Sequence, residues 1–319
     1  MSSERKEGVT NQGQDYGPPR HQPGLAPVVA RIDELVGNSP LMRLERIGDP
    51  EGAPIYVKLE NLNPSGSIRD RYIAEILERA VAAGMLVAGD TVALAGLDDS
   101  AVSAALVGSV LNVATRIFAP EDTGHRLVPL VETYGAQVVR TSPEEGLKGA
   151  VTRAASWSRE RADRIYVDGY RREAVRDAYA GVAAEILQAL QGEKLGAFIT
   201  SISTGGTFRH VARELRETRP TLNVGGAILG ELELPDFKEH RFNLLQRFSV
   251  KQAFSWRDKI AHEEGLLVGP KGAVCIGLAV DLQKKLSADE AIVALNPDAG
   301  QRYLGWEDEV DYSAGVFSV

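Results

Sequence analysis

Short apolar runs rich in β-branched residues alternate along the chain with longer stretches in which apolar residues recur three and four positions apart. The run PIYVKLE at 54–60 has the composition of a strand, and the segment that follows it has the spacing of an amphipathic helix. Residues 231–252 show neither period, so we expect them to be irregular. The predicted strands are 54–60, 91–95, 115–119, 137–141, 197–201, 224–229 and 291–295, and the predicted helices are 67–83, 100–111, 127–134, 144–161, 173–191, 208–217 and 279–285.

This alternation predicts an α/β fold. Strands that are separated by crossover helices form parallel sheets with both faces covered. Such folds bind ligands beyond the carboxyl ends of their strands. The turns that follow the predicted strands are therefore where candidate chemistry is sought.

Composition excludes several classes of function. The 319 residues carry 36 Lys and Arg against 44 Asp and Glu, a net charge of −8, which argues against general nucleic-acid or anionic-membrane binding. Cys275 is the one cysteine, so neither an internal disulfide nor a thiolate metal cluster is possible, and the histidines lack metal-ligand spacing. The apolar stretch 101–114 is too short and too polar to span a bilayer, and the first residues lack the apolar segment of a secretory signal. We expect a soluble, cytoplasmic protein.

The turn with the strongest signal is STGGT, between a predicted strand and a predicted helix. Its residues are Ser203, Thr204, Gly205, Gly206 and Thr207. Glycines let a backbone approach a ligand closely, and a helix start offers free N–H groups to an anion. The turn is a candidate anion or phosphate cradle, although a tight strand-to-helix connection accounts for it equally well.

A second turn, NPSGSIRDR at 63–71, places two cations at a predicted helix start. Ser67 fits an N-cap, and Asp70 three residues later completes a capping arrangement. Arg69 and Arg71 fall in the first turn, where the helix dipole disfavours positive charge. We expect Arg71 to extend into solvent. For Arg69, an anionic ligand, an acidic partner and solvent all remain open.

A third turn, LAGLDDS at 94–100, carries two neighbouring acids. Asp98 or Asp99 fits an ordinary helix N-cap. The alternative is that they pair with Arg69 or receive a cationic group of a substrate.

LVGNSPLMRL at 35–44, KLE at 58–60 and NPSGSIRDR at 63–71 follow one another along the chain. They and later segments resemble motifs of the cysteine synthases (O-acetylserine sulfhydrylases) and cystathionine β-synthases, which are fold-type II pyridoxal-phosphate (PLP) enzymes. LVGNSPLMRL at 35–44 resembles their I-G-N-T-P-L-V-R-L, and KLE followed by NPSGSIRDR resembles K-x-E and N-P-x-G-S-x-K-D-R. The other matching segments are YGAQVVRT, SISTGGTFRHVARELRE, EEGLLVG and NPDAGQRYL.

The resemblance implies a tryptophan synthase β-like architecture of two α/β domains with the cofactor cleft between them, usually in a homodimer. We accordingly predict an N-terminal domain at 28–156 that exchanges segments with a C-terminal domain at 157–305. Composition predicts a mobile arm at 1–27, and the C-terminal tail is 306–319.

Departures from the family pattern fall on the residues that would carry its chemistry. The lysine that forms the internal aldimine falls on Arg69, and a guanidinium does not supply the free amine that a Schiff base needs. The asparagine near the cofactor's phenolic oxygen falls on Leu97. Asp98 and Asp99 stand where a substrate carboxylate docks, and the turn that faces the pyridine nitrogen now holds Lys271. The active-site glutamine has no counterpart in 166–170. These changes predict that no cofactor is bound covalently and that Arg69 pairs with Asp98 or Asp99 across the cleft.

The leading functional hypothesis is therefore a pseudoenzyme that acts by binding. Its partner would be an active paralogue, a carrier protein, a pathway enzyme or a small anionic ligand, with contacts at 231–252, the N-terminal arm or the tail. An alternative is a PLP-independent enzyme in which Arg69 stabilises negative charge and Asp98 or Asp99 is the general base. Noncovalent PLP binding and residual cysteine synthase activity are further alternatives, but neither Lys58 nor Lys271 is expected to replace the missing lysine.

Overall fold

The computed structural model describes residues 28–167, 172–202, 205–230 and 242–305. Its elements belong to one compact unit of the chain. The strands are β1 (Leu41–Arg43), β2 (Ile55–Leu59), β3 (Thr91–Ala95), β4 (Ala114–Pro120), β5 (Gln137–Thr141), β6 (Arg164–Tyr166), β7 (Lys194–Ile202), β8 (Asn223–Leu229), β9 (Leu244–Phe248) and β10 (Glu290–Asn296). The α-helices are α1 (Arg69–Ala82), α2 (Asp99–Val110), α3 (Val128–Thr133), α4 (Gly146–Arg159), α5 (Arg172–Ala189), α6 (Gly206–Thr218), α7 (Val250–Glu264) and α8 (Pro270–Gln283).

The strands form two sheets, which confirms the predicted α/β fold. One sheet has the order β1-β2-β10-β7-β8-β9, and the other has the order β5-β4-β3-β6. Every pairing is parallel except the antiparallel contact of β1 with β2. Since β1 and β2 precede the four-stranded sheet in the chain, the larger sheet combines early and late segments. The domain boundaries 28–156 and 157–305 stay a prediction.

Two helices that are buried along most of their length, α8 and α2, pack against the sheets. α8 is apolar on nearly all sides, and it is buried along most of its length against the six-stranded sheet and α7. α2 is rich in small residues and is likewise buried, packing on α1, α3 and the four-stranded sheet. These two helices begin just after Asp98 and Gly269, so they bring two loops of interest to fixed positions.

The predicted irregular segment 231–252 is partly wrong. Residues 231–241 lie outside the described residues, but 244–248 form β9, and α7 begins at Val250. β9 is a short strand at the sheet edge, which alternates half-buried and exposed side chains. α7 opens with a capping box in which Ser249 and Gln252 bond each other's backbone amides.

Other differences concern short or unusual elements. β1 and β6 have three residues each, too few to show a period of two. α8 begins at Pro270 rather than at 279, with proline in the first turn and glycines inside a helix that is apolar all round. The predicted mobile arm 1–27 and the tail 306–319 lie outside the described residues.

Candidate functional site

Arg69 is the first residue of α1, and the loop before it is fixed by Asp70. Asp70 accepts the backbone amide of Ser65 at 2.6 Å and the hydroxyl of Ser103 at 2.5 Å, and it also accepts the Ser65 hydroxyl. Burial raises the pKa of Asp70 despite these hydrogen bonds. The predicted capping arrangement holds in part: the Ser67 hydroxyl accepts the Arg69 amide at 3.2 Å, but Asp70 caps the amide of Ser65 rather than that of Ser67.

Two buried tyrosines surround the Arg69 side chain. The Arg69 guanidinium carbon lies 5.7 Å from the centre of the Tyr72 ring, within reach of a cation–π contact. Tyr72 meets Tyr179 edge to face at 6.2 Å, and its hydroxyl is 2.5 Å from that of Ser100. Burial opposes the charge of Arg69, but its neighbours outweigh that effect and raise its pKa above the ordinary value. Arg69 is therefore a permanent cation in a largely aromatic setting.

The predicted salt bridge of Arg69 with Asp98 or Asp99 does not form, although the charges of both carboxylates contribute to raising the pKa of Arg69. Asp98 is the N-cap of α2 and accepts the Ser100 amide at 2.9 Å. Asp99 pairs with Arg302, which follows β10. Among the described residues, no ion pair joins Arg69 to either carboxylate. The alternative that Asp98 is an ordinary N-cap holds because its extended backbone presents the carboxylate to the first turn.

Leu97 and Lys271 lie in different environments. Leu97 is buried in an apolar cluster with α2 and α3, so its side chain serves packing. Lys271 lies in the first turn of α8, half-buried, and its charge acts on the nearby carboxyl of Asp298.

Asp298 is a buried carboxyl that sequence reasoning missed. One oxygen accepts the hydroxyl of Tyr303 at 2.7 Å, and the other has no hydrogen-bond partner in the described part of the chain. Burial, followed by repulsion from Asp99, raises the pKa of Asp298 to about 6, against the opposing effect of Lys271. Its place in NPDAGQRYL, one of the segments of family resemblance, was the available signal.

The predicted anion cradle is described in part. Ser203 and Thr204 lie outside the described residues, whereas Gly205 (φ +79°) is the N-cap of α6, which begins with Gly206 and Thr207. The Tyr179 hydroxyl is fully buried, and although burial raises its pKa, Thr207 and Arg69 lie close enough to oppose that shift; no described residue meets it at full hydrogen-bond geometry. The start of α6, the Arg69 guanidinium and the Tyr179 hydroxyl thus lie in one region.

A second cluster of charges surrounds Arg71, which lies two residues after Arg69 in α1. Contrary to prediction, Arg71 is buried: it donates to both oxygens of Glu60 at 2.7 and 2.8 Å and to both oxygens of Glu185 at 2.9 and 2.7 Å. The two carboxylates explain why this cation tolerates a helix start. Its partners lie 11 and 114 residues away in sequence. The helix dipole acts only within the first turn, so it could not reveal these two carboxylates.

Lys58 belongs to the same cluster. It is fully buried and donates to Glu185 at 2.5 Å and to the backbone carbonyl of Ser39. Burial lowers the pKa of Lys58, while hydrogen bonds from Arg71 and Lys58 overcome the burial of Glu185 and lower its pKa to about 2. Two cations and two anions neutralise one another here. We call Lys58, Glu60, Arg71 and Glu185 the buried ion cluster.

In the described part of the chain, no three His, Cys, Asp or Glu side chains are arranged to hold a metal ion. No described helix combines the length and apolar character needed to cross a membrane.

Comparison with known proteins places the chain in a family. Residues 32–298 match the model for pyridoxal-phosphate dependent enzymes. A probable cysteine synthase of Bacillus subtilis is 30% identical over 87% of this chain and 96% of its own length. An O-acetylserine dependent cystathionine β-synthase of the same organism is 28% identical over 87% of this chain and 96% of its own length.

A solved structure shows the same fold. An O-acetylserine dependent cystathionine β-synthase from Helicobacter pylori, 24% identical, superposes with a TM-score of 0.78 over 88% of this chain and 98% of its own. At that identity the likeness concerns the fold, which is the α/β architecture of fold-type II PLP enzymes. On the match of its sequence, the chain belongs to the pyridoxal-phosphate dependent enzyme family, among the relatives of cysteine synthase and cystathionine β-synthase.

Proposed function

We propose that this chain is a non-catalytic member of its family, which keeps the fold and acts by binding rather than by covalent PLP chemistry. The observation that carries the proposal is Arg69, which opens α1 directly after the NPSGS loop. In the family pattern that position is a lysine. A guanidinium held in its protonated form cannot condense with an aldehyde.

The other nearby lysines do not offer a ready amine. Lys58 is enclosed in the buried ion cluster, where its ammonium is bonded to Glu185 and Ser39. Freeing it would leave the buried Glu60 and the half-buried Glu185 with Arg71 alone for compensation, which is costly. Lys271 lies in the first turn of α8 and faces the buried carboxyl of Asp298. The described residues therefore do not fit covalent attachment of PLP, which would otherwise supply an electron sink for amino-acid chemistry.

The test is to incubate the purified protein with PLP, reduce it with borohydride and map pyridoxyl-lysine by peptide mass spectrometry. The expected result is no modified lysine, together with no conversion of O-acetylserine and sulfide to cysteine. Arg69→Lys is the matched variant, because it restores only the amine, and it should be labelled at position 69. A stoichiometric pyridoxyl group on any lysine of the unmodified chain would refute the proposal.

A small anion is the ligand that the site supports best. Arg69 makes no ion pair with a described carboxylate, although Asp98 and Asp99 act on its charge, and the Tyr179 hydroxyl and the first turn of α6 lie near it. These groups are donors, and together they suit a phosphate or carboxylate. Calorimetry with inorganic phosphate and with PLP tests this: binding of either without borohydride trapping supports it, and no heat with both rules it out.

The contacts of the two acids count against the alternative of a PLP-independent enzyme. Asp98 is engaged as a helix cap and Asp99 in an ion pair, so neither carboxylate is free to act as a general base. A protein partner, whether an active paralogue, a carrier or a pathway enzyme, and a homodimer remain proposals. They are tested by sizing the protein and by affinity capture with the arm 1–27 and the tail 306–319 deleted in turn.

A further inference from the structure

Arg302 connects two parts of the fold that are distant in sequence. It lies in the segment after β10, which belongs to the six-stranded sheet, whereas Asp99 opens α2 directly after β3 of the four-stranded sheet. One guanidinium nitrogen of Arg302 donates to the Asp99 carboxylate, and another donates to the backbone carbonyl of Ser65. A single side chain thus joins three loops.

The environment of this contact makes it stronger than an ordinary surface pair. The Arg302 and Asp99 side chains are 11% and 14% exposed, so solvent screens their attraction poorly. The third loop is brought close by Gly66, where an added Cβ would lie 3.2 Å from the Ala299 Cβ and 3.5 Å from the Arg302 guanidinium. A planar, two-pronged donor suits two acceptors that diverge in this way.

Further bonds hold the same loops from their other sides. Ser67 forms an antiparallel bridge with Asp298, which anchors the segment before α1 to the segment after β10. Ser103 of α2 donates to Asp70 of α1, so α2 is tied to the NPSGS loop as well. The Asp99–Arg302 contact is an ion pair, whereas the Ser67–Asp298 and Ser103–Asp70 contacts are hydrogen bonds.

We infer that Asp99 and Arg302 form a latch that holds the start of α2, after β3, against the segment after β10, and so keeps the carboxyl ends of the two sheets together. In parallel α/β folds, ligands enter beyond these strand ends. The latch therefore fixes the geometry of the cleft from within the chain. This inference does not depend on whether the chain binds PLP.

Hydrogen exchange followed by mass spectrometry tests the latch on the full-length protein. Asp99→Asn and Arg302→Gln should each accelerate exchange of residues 96–103 and 63–67 by about tenfold, with α8 (270–283) unaffected, since local opening exposes only the segments released. The double variant should be no faster than Arg302→Gln alone, because both changes remove one contact.

Matched controls separate the latch from other effects. Asp98→Asn removes the same charge one position earlier and keeps an N-cap acceptor, so its exchange in 96–103 should stay close to that of the parent. Arg302→Lys keeps the charge but cannot hold both acceptors, and it should fall between the parent and Arg302→Gln, which also covers the case in which Arg302→Gln fails to fold. Equal exchange in Asp98→Asn and Asp99→Asn, additive effects in the double variant, or an equal acceleration in α8 would overturn the inference.

Discussion

The two arginines of the NPSGSIRDR segment have opposite surroundings, although one residue separates them. Arg71 is enclosed by Glu60 and Glu185, and with Lys58 it forms a cluster in which every charge is compensated. Arg69 stands over the Tyr72 ring, and no carboxylate of the described residues pairs with it. Carboxylates of the same chain account for the burial of Arg71. Arg69 has no such ion pair, and we expect it to be able to bind an anionic ligand.

This difference bears on what the chain has kept from its family. The buried ion cluster joins β2, the turn after it, α1 and α5, so it belongs to the scaffold. Arg69 itself forms no ion pair among the described residues, although its neighbours Tyr72 and Tyr179 belong to the hydrophobic core. We therefore expect substitutions in the cluster to be costly to folding, and substitutions at Arg69 to alter binding.

The largest effect should come from Arg71→Met. It leaves the buried Glu60 and the half-buried Glu185 with only Lys58 for compensation, and breaking a buried pair such as Arg71–Glu60 costs about 3–5 kcal/mol. Urea unfolding of the variant should give a free energy of unfolding lower by that amount. The control is Arg79→Gln, because Arg79 also joins α1 to α5 through Asp177, but in an exposed pair.

Arg79→Gln should leave the free energy of unfolding unchanged within experimental error, since exposed pairs contribute little. Equal losses in Arg71→Met and Arg79→Gln would show that the cluster is no stronger than a surface pair, and the contrast with Arg69 would then disappear.

A second effect concerns pH and the buried carboxyl of Asp298. Its folded-state pKa is raised to about 6 from an ordinary value of 3.8. The folded chain therefore binds this proton more tightly than the unfolded chain, and the stability it contributes is present below pH 4 and lost as the pH rises to 6. The loss is about 3 kcal/mol for a shift of this size.

Asp298→Asn isolates this contribution, because the amide keeps an acceptor for the Tyr303 hydroxyl and does not titrate. Urea unfolding between pH 4 and pH 7 should show the free energy of the parent falling relative to that of the variant, with a constant difference above pH 6 to 7. A difference that does not change with pH would mean that Asp298 is ionised throughout and is compensated by Lys271 and Arg302.

Local pattern was enough to predict much of the fold. β3 and β5 have the predicted bounds, because each is a short β-branched run between polar residues. α7 was missed although Val250, Ala253, Phe254, Arg257 and Ile260 form its buried stripe. That stripe includes an arginine, and the preceding segment lacks a clear period. The apolar pattern alone therefore does not predict the helix.

The site was harder to predict because its contacts join distant segments. The helix dipole correctly marked Arg69 and Arg71 as unusual cations, but it could not show that Glu185 would neutralise one of them. Likewise Asp99 was expected to meet Arg69, yet its partner is Arg302, which lies 203 residues further along the chain. The sequence shows which residues carry opposite charges and could form ion pairs. Which of these residues are in contact depends on how the two sheets pack.

Apart from the control Arg79→Gln, the smallest effect on the free energy of unfolding should come from Arg69→Gln, which tests the contrast with Arg71 most directly. With no ion pair to break, the variant loses mainly a cation–π contact, worth about 0.5–1 kcal/mol. In inorganic phosphate, however, the parent should gain thermal stability and the variant should not, since a ligand stabilises only the state that binds it. Tyr179→Phe should weaken the same response, because it removes the buried hydroxyl that has no hydrogen-bond partner among the described residues. A phosphate response that survives both substitutions would place the anion elsewhere, and Arg69 would then be a structural cation like Arg71.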